Sequence, residues 1–498
     1  WPGGTWRLRD IMDYELIASE ALVRMLDEQR GDYVRNFVAL GRKAVTLGAA
    51  GGPWAYVLPA GQADARAVTR LVEVLRVGGV EVERATTPFS AGGRAYGVGS
   101  YVVRMAQPYR AHAKDLLEPQ HFPRLEQYPG GPPQRPYDVA GWTLPYQFGV
   151  RADVVDSAFT AASMPVSAVP VVATRTAGWL DTTTLAGCRA GGADAGRQGV
   201  MTLDAANTGC YRFAFAPPSG RGVRVGRGPG SFLVRSTPRV ALYKPWTANM
   251  DEGWTRWVFE QYGVPYTTLT DSAARAGDLR AHYDVVIVPD MPLREAHDGM
   301  SPKQVPAPYT GGLGGAGIGA LRQFAEAGGT LVLVDRATEL ASGPLGLAVT
   351  RITPPRAAGE SATADADSSR GGDPLYAPGS ILRVLVDHTQ RITVGMPDTA
   401  GVYFTNSTTL DVSRVPGAHV ALRYPARADD ILMSGFLTGG ARIAGQTALA
   451  DVPLGRGRVM LFGFRPLYRG QSIGTFRLLF NAILGATADA QTTSTPGS

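Results

Sequence analysis

Apolar and polar positions change rhythm several times along this chain, and each change predicts an element. Over residues 10–30 the apolar residues Ile11, Tyr14, Leu16, Ile17, Leu22, Met25 and Leu26 form a helical stripe, and Gly31 follows the last turn. Residues 32–43 read as a second helix, and the two are expected to pack as a hairpin against something larger. From Pro53 the rhythm becomes that of an α/β protein. Short apolar runs at 54–58, 79–83 and 99–104 predict strands, and 63–77 and 108–117 predict helices. Residues 118–136, rich in Pro and Gly, read as a loop.

A later stretch echoes this one. Gly79-Val-Glu-Val-Glu-Arg84 followed by Gly99-Ser-Tyr-Val-Val-Arg104 resembles Gly222-Val-Arg-Val-Gly-Arg227 followed by Gly230-Ser-Phe-Leu-Val-Arg235. Two related α/β units are therefore expected, the second with a helix at 205–215. The clearest rhythm spans 239–340. Apolar strands at 239–244, 284–289 and 330–335 alternate with helices at 251–260 and 318–327, the second stopped by Gly328-Gly329. Continuous apolar strands separated by helices belong to a doubly wound parallel sheet covered on both faces, whose ligands bind beyond the carboxyl ends of its strands. After Asp335 the pattern is irregular. Residues 357–373 have the composition of a low-complexity loop, a strand at 458–463 and a helix at 475–484 close the fold, and the tail reads as disordered.

Composition narrows the function classes. Net charge is +6 and the pI about 9.3, yet the arginines are scattered, whereas a nucleic-acid binder gathers them on one face. No apolar run approaches the ~18 residues that span a bilayer. No nucleic acid and no membrane span are expected. The opening Trp1-Pro-Gly-Gly-Thr-Trp6 is read as the interior of a longer protein. The two cysteines, Cys188 and Cys210, form no C-x-x-C pair, so no thiolate zinc site is expected. Whether they pair is left open, because sequence does not give their separation.

Candidate chemistry is sparse. Gly312-Leu-Gly-Gly-Ala-Gly317 matches G-x-G-x-x-G but follows a loop instead of a strand, so it reads as a flexible connection. A hydrolase nucleophile belongs on the sharp turn after a central strand; here that position holds Asp335-Arg336, with neither Ser nor Cys. Asp335 is nonetheless kept as a ligand-site candidate, with a weaker reading that pairs it with His388 in a hydrolase site. None of the six histidines has a glutamate three residues on, the spacing of carboxypeptidase-type zinc ligands. Trp246 and Trp254 offer an aromatic platform for a peptide or glycan, and Arg465 and Arg469 a clamp for an anion.

Several strings look like a known family. Trp6-Arg-Leu-Arg-Asp-Ile11, Asp13-Tyr-Glu-Leu-Ile-Ala18, Tyr137-Asp-Val-Ala-Gly-Trp-Thr-Leu-Pro145, Tyr243-Lys-Pro-Trp-Thr-Ala-Asn-Met-Asp-Glu-Gly-Trp254 and Gly463-Phe-Arg-Pro466 resemble bacterial zinc carboxypeptidases of the carboxypeptidase A superfamily. The resemblance is to members whose C-terminal extension includes a glutamine amidotransferase-like domain. It implies that residues 1–45 are the terminal helices of a truncated catalytic domain. Residues 53–150 and 151–236 are then two α/β units. Residues 237–488 are a class I glutamine amidotransferase-like, flavodoxin-like domain without its nucleophile, and 489–498 a disordered tail. In that family every zinc ligand and the catalytic glutamate precede the first helix seen here, so no catalytic residue is carried over. The expectation is an accessory region: no cofactor in this chain, zinc in the parent's missing N-terminal catalytic domain, peptide substrate through that parent, and a periplasmic or extracellular location. The alternative is a stand-alone, non-catalytic α/β module that binds a peptide or glycan at the strand ends.

Overall fold

The computed structural model describes residues 3–123, 125–129, 131, 134, 136, 138–166, 188, 200–216, 222–234, 236–351 and 375–488. The low-complexity loop at 357–373, the tail and most of 170–199 lie outside them. The chain forms two compact units, one of residues 1–60, 74–115 and 152–167, the other of 61–73, 116–151 and 168–498. The chain crosses between them repeatedly.

The first unit opens with α1 (Leu8–Glu28) and α2 (Arg30–Ala50). The expected hairpin is not formed. Antiparallel helices need a loop of about 2–5 residues, whereas here a single residue, Gln29 (φ −107°, ψ 12°), joins the two. Gln29 N donates to Met25 O at 2.9 Å and Tyr33 N to Gln29 O at 3.2 Å, so helical bonding runs through the joint. No residue of α1 is buried, and of α2 only Gly48. A β-carbon on Gly48 would lie 1.9 Å from the Met105 carbonyl oxygen, so that glycine lets α2 rest on backbone.

The strands of this unit are β1 (Ala55–Leu58), β2 (Glu83–Ala85), the hairpin β3 (Phe89–Ala91) and β4 (Arg94–Tyr96), β5 (Tyr101–Arg104), β6 (Asp153–Val155) and β7 (Ser163–Pro165). Two helices leave it, α3 (Ala65–Val77) and α4 (Arg110–Leu117). The sheet order is β6-β1-β5-β2-β7, and every neighbouring pair is antiparallel. β1 and β2, joined through α3, run the same way, but β5 is inserted between them. The helix after β1 was legible; the inserted strand was not. Val57, Phe89, Tyr96, Val102 and Val155 make its core.

The second unit contains α5 (Leu144–Phe148), then β8 (Val200–Leu203), α6 (Tyr211–Phe215), β9 (Gly222–Val225) and β10 (Phe232–Val234). β9 pairs antiparallel with β10 and parallel with β8. The echoed segments thus both make antiparallel pairs, β2 with β5 and β9 with β10, inside sheets of different order. Cys188 and Cys210 are bonded, with Cα atoms 5.3 Å apart and a separation of 22 positions in sequence. Reducing this bond is expected to lower stability by about 3 kcal/mol through loop entropy, seen as a lower urea midpoint with dithiothreitol.

The large sheet carries the doubly wound pattern. Its first strands are β11 (Val240–Tyr243), β12 (Thr267–Leu269), β13 (Val285–Val288) and β14 (Thr330–Val334). The helices between them are α7 (Met250–Tyr262), α8 (Asp271–Ala276), α9 (Leu279–His282), α10 (Leu293–Asp298) and α11 (Gly314–Glu326). A short α12 (Glu339–Ser342) follows, then β15 (Thr350–Arg351), β16 (Pro378–Val386), β17 (Thr399–Thr405), β18 (Leu410–Asp411), β19 (His419–Arg423), β20 (Leu432–Ser434), β21 (Thr447–Leu454), β22 (Gly457–Phe462) and α13 (Ile473–Gly485). The parallel part runs β12-β11-β13-β14-β22. In order of appearance that is 2-1-3-4-5, the flavodoxin-like order. The fold class is α/β, as the sequence led us to expect. β11, β13 and β14 are buried at every position, which explains their unbroken apolar runs. Beyond β22 the sheet continues antiparallel through β21, β19, β16 and β17, strands hidden in the stretch read as irregular.

Candidate functional site

Charged residues follow the ends of three adjacent parallel strands: Asp290 two residues after β13, Asp335 directly after β14, and Arg465 three after β22. Parallel register puts these ends side by side, with Val288 opposite Leu333 and Val334 opposite Phe462. The start of α7 brings a fourth group, Asp251. Asn249 caps that helix by accepting from Glu252 N at 2.9 Å, and its side-chain amide donates to Asp290 O at 2.9 Å, which ties α7 to the end of β13.

Arg465 holds the cluster together. Its Nη2 lies 2.7 Å from Asp290 Oδ2, its Nε 3.3 Å from Asp335 Oδ2 and its Nη1 3.6 Å from Asp251 Oδ2. Arg336 adds a fork on Asp290, with Nε donating at 2.8 Å and Nη2 at 2.7 Å. Asp335 also accepts from Ser407 Oγ at 2.7 Å and Thr408 N at 3.2 Å. The Asp290 side chain is 0% exposed and that of Asp335 1%.

Three carboxylates against the two guanidiniums that contact them leave one negative charge in excess, and two of the carboxylates, Asp290 and Asp335, are shut off from water. Burial, then the charge of Asp290, push the Asp335 carboxyl up to about 7 despite Arg465 and Ser407. Burial raises Asp251 to about 6. Burial opposes the charge on Arg465, but Asp290, Asp335 and Asp251 outweigh it and hold its pKa above the usual arginine value. Below about pH 7 the excess charge is therefore relieved by a proton held in the cluster.

Asp335 sits at φ 51°, between the last residue of β14 and a short helical turn. This is the strand–turn–helix bend on which hydrolases expose a nucleophile. Here the side chain is turned inward and bonded. The cavity beside it, lined by Asp251, Asp290, Val334, Arg465 and Leu467 among others, measures about 10 Å³, no more than one water requires. That volume is too small for a peptide or glycan. The residues also do not suit zinc, because guanidinium donors already occupy the carboxylates. Among the described residues no three of His, Cys, Asp or Glu are grouped to hold a metal ion.

The other expected site residues disperse. Arg469 lies with its guanidinium 5.2 Å from the Tyr468 ring centre; Asp335 takes its hydrogen bonds from Ser407, Thr408 and Arg465, and Arg469 touches the cluster only through its charge, which favours ionised Asp251. Trp254 meets Trp257 edge-on at 5.8 Å, and the backbone of Gly470 packs on both rings, so Trp254 serves packing. Trp246 is 50% exposed and meets Tyr309, 45% exposed, edge-on at 4.9 Å. His388 does not join Asp335; its Nε2 lies 2.9 Å from Asp398 Oδ1 at the β16–β17 end. In the G-x-G-x-x-G string Gly312 serves close packing, since its β-carbon would meet Ala296 O at 2.6 Å, whereas Gly314 has open space and a φ of 56°. Asp290 was missed, although its signal was present: it closes an apolar strand just as Asp335 does.

No family model and no curated protein matches the chain. Among solved structures it is similar to a putative GMP synthase component from Thermoplasma acidophilum, at 10% identity over 51% of this chain and 96% of that one, TM-score 0.30. A putative ThuA-like protein from Bacteroides uniformis matches at 10% identity over 48% and 90%, TM-score 0.28. A β-galactosidase from Bacillus circulans matches at 13% identity over 48% of this chain and 30% of its own length, TM-score 0.26. None of these likenesses bears on function.

Proposed function

We propose that this chain is a non-catalytic accessory region of a zinc metallocarboxypeptidase, docked on the catalytic part through α1 and α2. The observation that carries the reading is the apolar surface of these helices. Leu8, Leu16, Ile17, Val23, Val34 and Phe37 are between 57% and 74% exposed, and an exposed apolar stripe of this size marks an interaction surface. α1 is also the helix whose sequence resembles the carboxypeptidase family, in which it closes the catalytic domain. Peptide hydrolysis would be the parent's work, with the flavodoxin-like sheet as scaffold and Asp335 as its bonded corner. The Cys188–Cys210 bond supports an exported location.

A second reading, a module binding glycan or peptide on its own, is favoured by the exposed Trp246–Tyr309 pair. Zinc separates the two. The intact protein, captured from its source with an antibody against this chain, is expected to carry about one zinc per chain and to release C-terminal residues from peptides. This chain alone should do neither. Native protein free of zinc and without peptidase activity would leave the binding module as the better account.

A further inference from the structure

The doubly wound order contains one place where two connections part. From the carboxyl end of β11 the chain leaves towards β12, and from that of β13 it leaves the other way, towards β14. Neighbouring parallel strands whose connections diverge leave a crevice beyond their carboxyl ends, and open α/β sheets bind their ligands there. This crevice is one strand removed from Asp335, which follows β14.

What the two strands present there is aromatic. Trp246 comes shortly after β11, and Tyr309 stands in the loop between α10 and α11, the helices that follow β13. Both rings are about half exposed, and they meet at 89° with centres 4.9 Å apart. In an edge-on pair the ring that gives its edge keeps both faces clear of its partner, and the other ring keeps one. Both segments are pinned. Pro245, before Trp246, is buried, and the Asn249 side chain bonds Asp290 O. Gly311 N donates to Met300 O at 2.9 Å and closes the Tyr309 loop at its base; Tyr309 N donates to Pro306 O at 2.9 Å at its tip. Pro302, Pro306 and Pro308 restrict the loop further. Rings held in this way lose little freedom when a ligand arrives.

The surroundings narrow the ligand. Residues 240–248 and 299–312 contain no arginine and no carboxylate, and Lys244 and Lys303 are their only charged residues. They offer neither a guanidinium fork for phosphate nor a partner for a basic ligand. Peptides fit poorly too. β11 and β13 are each paired on both sides, so no strand edge is free for an extended peptide, and rings in contact at 4.9 Å leave no slot for a proline.

We propose that Trp246 and Tyr309 bind an uncharged glycan of β-1,4-linked, glucose-type rings. The hydroxyls of such pyranoses are equatorial, so their faces carry C–H groups whose slight positive charge suits the negative face of an aromatic ring. The proposal rests on the binding reading in its choice of surface and gives it a ligand, yet it holds equally for an accessory region. Zinc in the native protein would leave it standing, and a failure to bind glycan would leave the zinc question open.

The test is calorimetric titration of the whole chain with cellohexaose, chitohexaose and hexaproline. At least one of the two glycans should reach half-saturation below about 1 mM and bind more tightly than hexaproline. Trp246→Ala should weaken that binding at least about tenfold, and Trp246→Phe, which keeps a ring, should weaken it less. Trp246 is exposed, so the fold should survive, with melting behaviour as the check; Tyr309→Ala, on a separate loop, should weaken binding as well and serves if the first variant fails to fold. Tyr128→Ala removes an exposed ring elsewhere and should leave binding unchanged. No binding of either glycan, tighter binding of hexaproline, unchanged binding in a folded Trp246→Ala or Tyr309→Ala protein, or an equal loss in Tyr128→Ala would each overturn the assignment.

Discussion

Replacing Arg465 with methionine should destabilise the protein by about 3–5 kcal/mol, the usual result of removing one partner from a buried ion pair. The methionine keeps most of the side-chain volume, so the loss would report charge. Asp335 would lose its 3.3 Å guanidinium contact and Asp290 one of its two. Because Arg336 still forks onto Asp290, Arg336→Met should cost less, and the order of the two variants is part of the expectation. Urea unfolding at pH 8, where the carboxylates are ionised, measures both. A loss under about 1 kcal/mol for Arg465→Met, as for an exposed pair, would mean that water reaches this cluster after all.

The second large effect is on the pH dependence of stability. Asp335 and Asp251 have folded-state pKa values raised from 3.8 to about 7 and about 6. A raised carboxyl value favours folding at low pH: the contribution is complete below about 4 and disappears as pH climbs through the folded values. Stability should therefore fall between about pH 4 and 7, by a few kcal/mol in order of magnitude. Asp284 acts oppositely. Burial works against its charge, but hydrogen bonds from Arg239 and Arg280 bring it down to about 2, so its contribution is lost only as pH falls from about 4 towards 2. Asp335→Asn isolates the first effect, since asparagine tolerates the left-handed backbone at this position. Urea midpoints of that variant should fall less between pH 4 and 7 than those of the wild type, the remaining fall coming from Asp251, and it should be the more stable protein at pH 8. A wild-type profile that rises over this interval would contradict the assignment.

How far these properties were legible depended on what each residue reports locally. The strands β11, β13 and β14 were plain because burial on both faces writes an uninterrupted apolar run. β16, β17, β19 and β21 were not: β16 opens with Pro378-Gly379, and β21 carries Asp451 and Pro453, so neither shows a clean period. The first unit misled for another reason, because antiparallel insertion of β5 between β1 and β2 leaves no local mark. In the cluster, Asp335 and Arg465 were named from their places after strands. Their meeting, and that of Asp290 with Arg336, depends on pairing residues more than 40 positions apart.

The closing helix, α13, sets a limit on how this molecule is divided. It is buried along nearly all its length. Its Phe480 packs on Tyr262 but also on Tyr211 and Phe215, while Asn481 accepts from Tyr211 Oη at 2.7 Å and Arg477 meets Asp64. A recombination breakpoint near residue 236 would hand the flavodoxin-like sheet to a new host with this helix stripped on one side. Exchange of the sheet between proteins as a self-sufficient cassette is therefore disfavoured: the segment around Tyr211 has to travel with it.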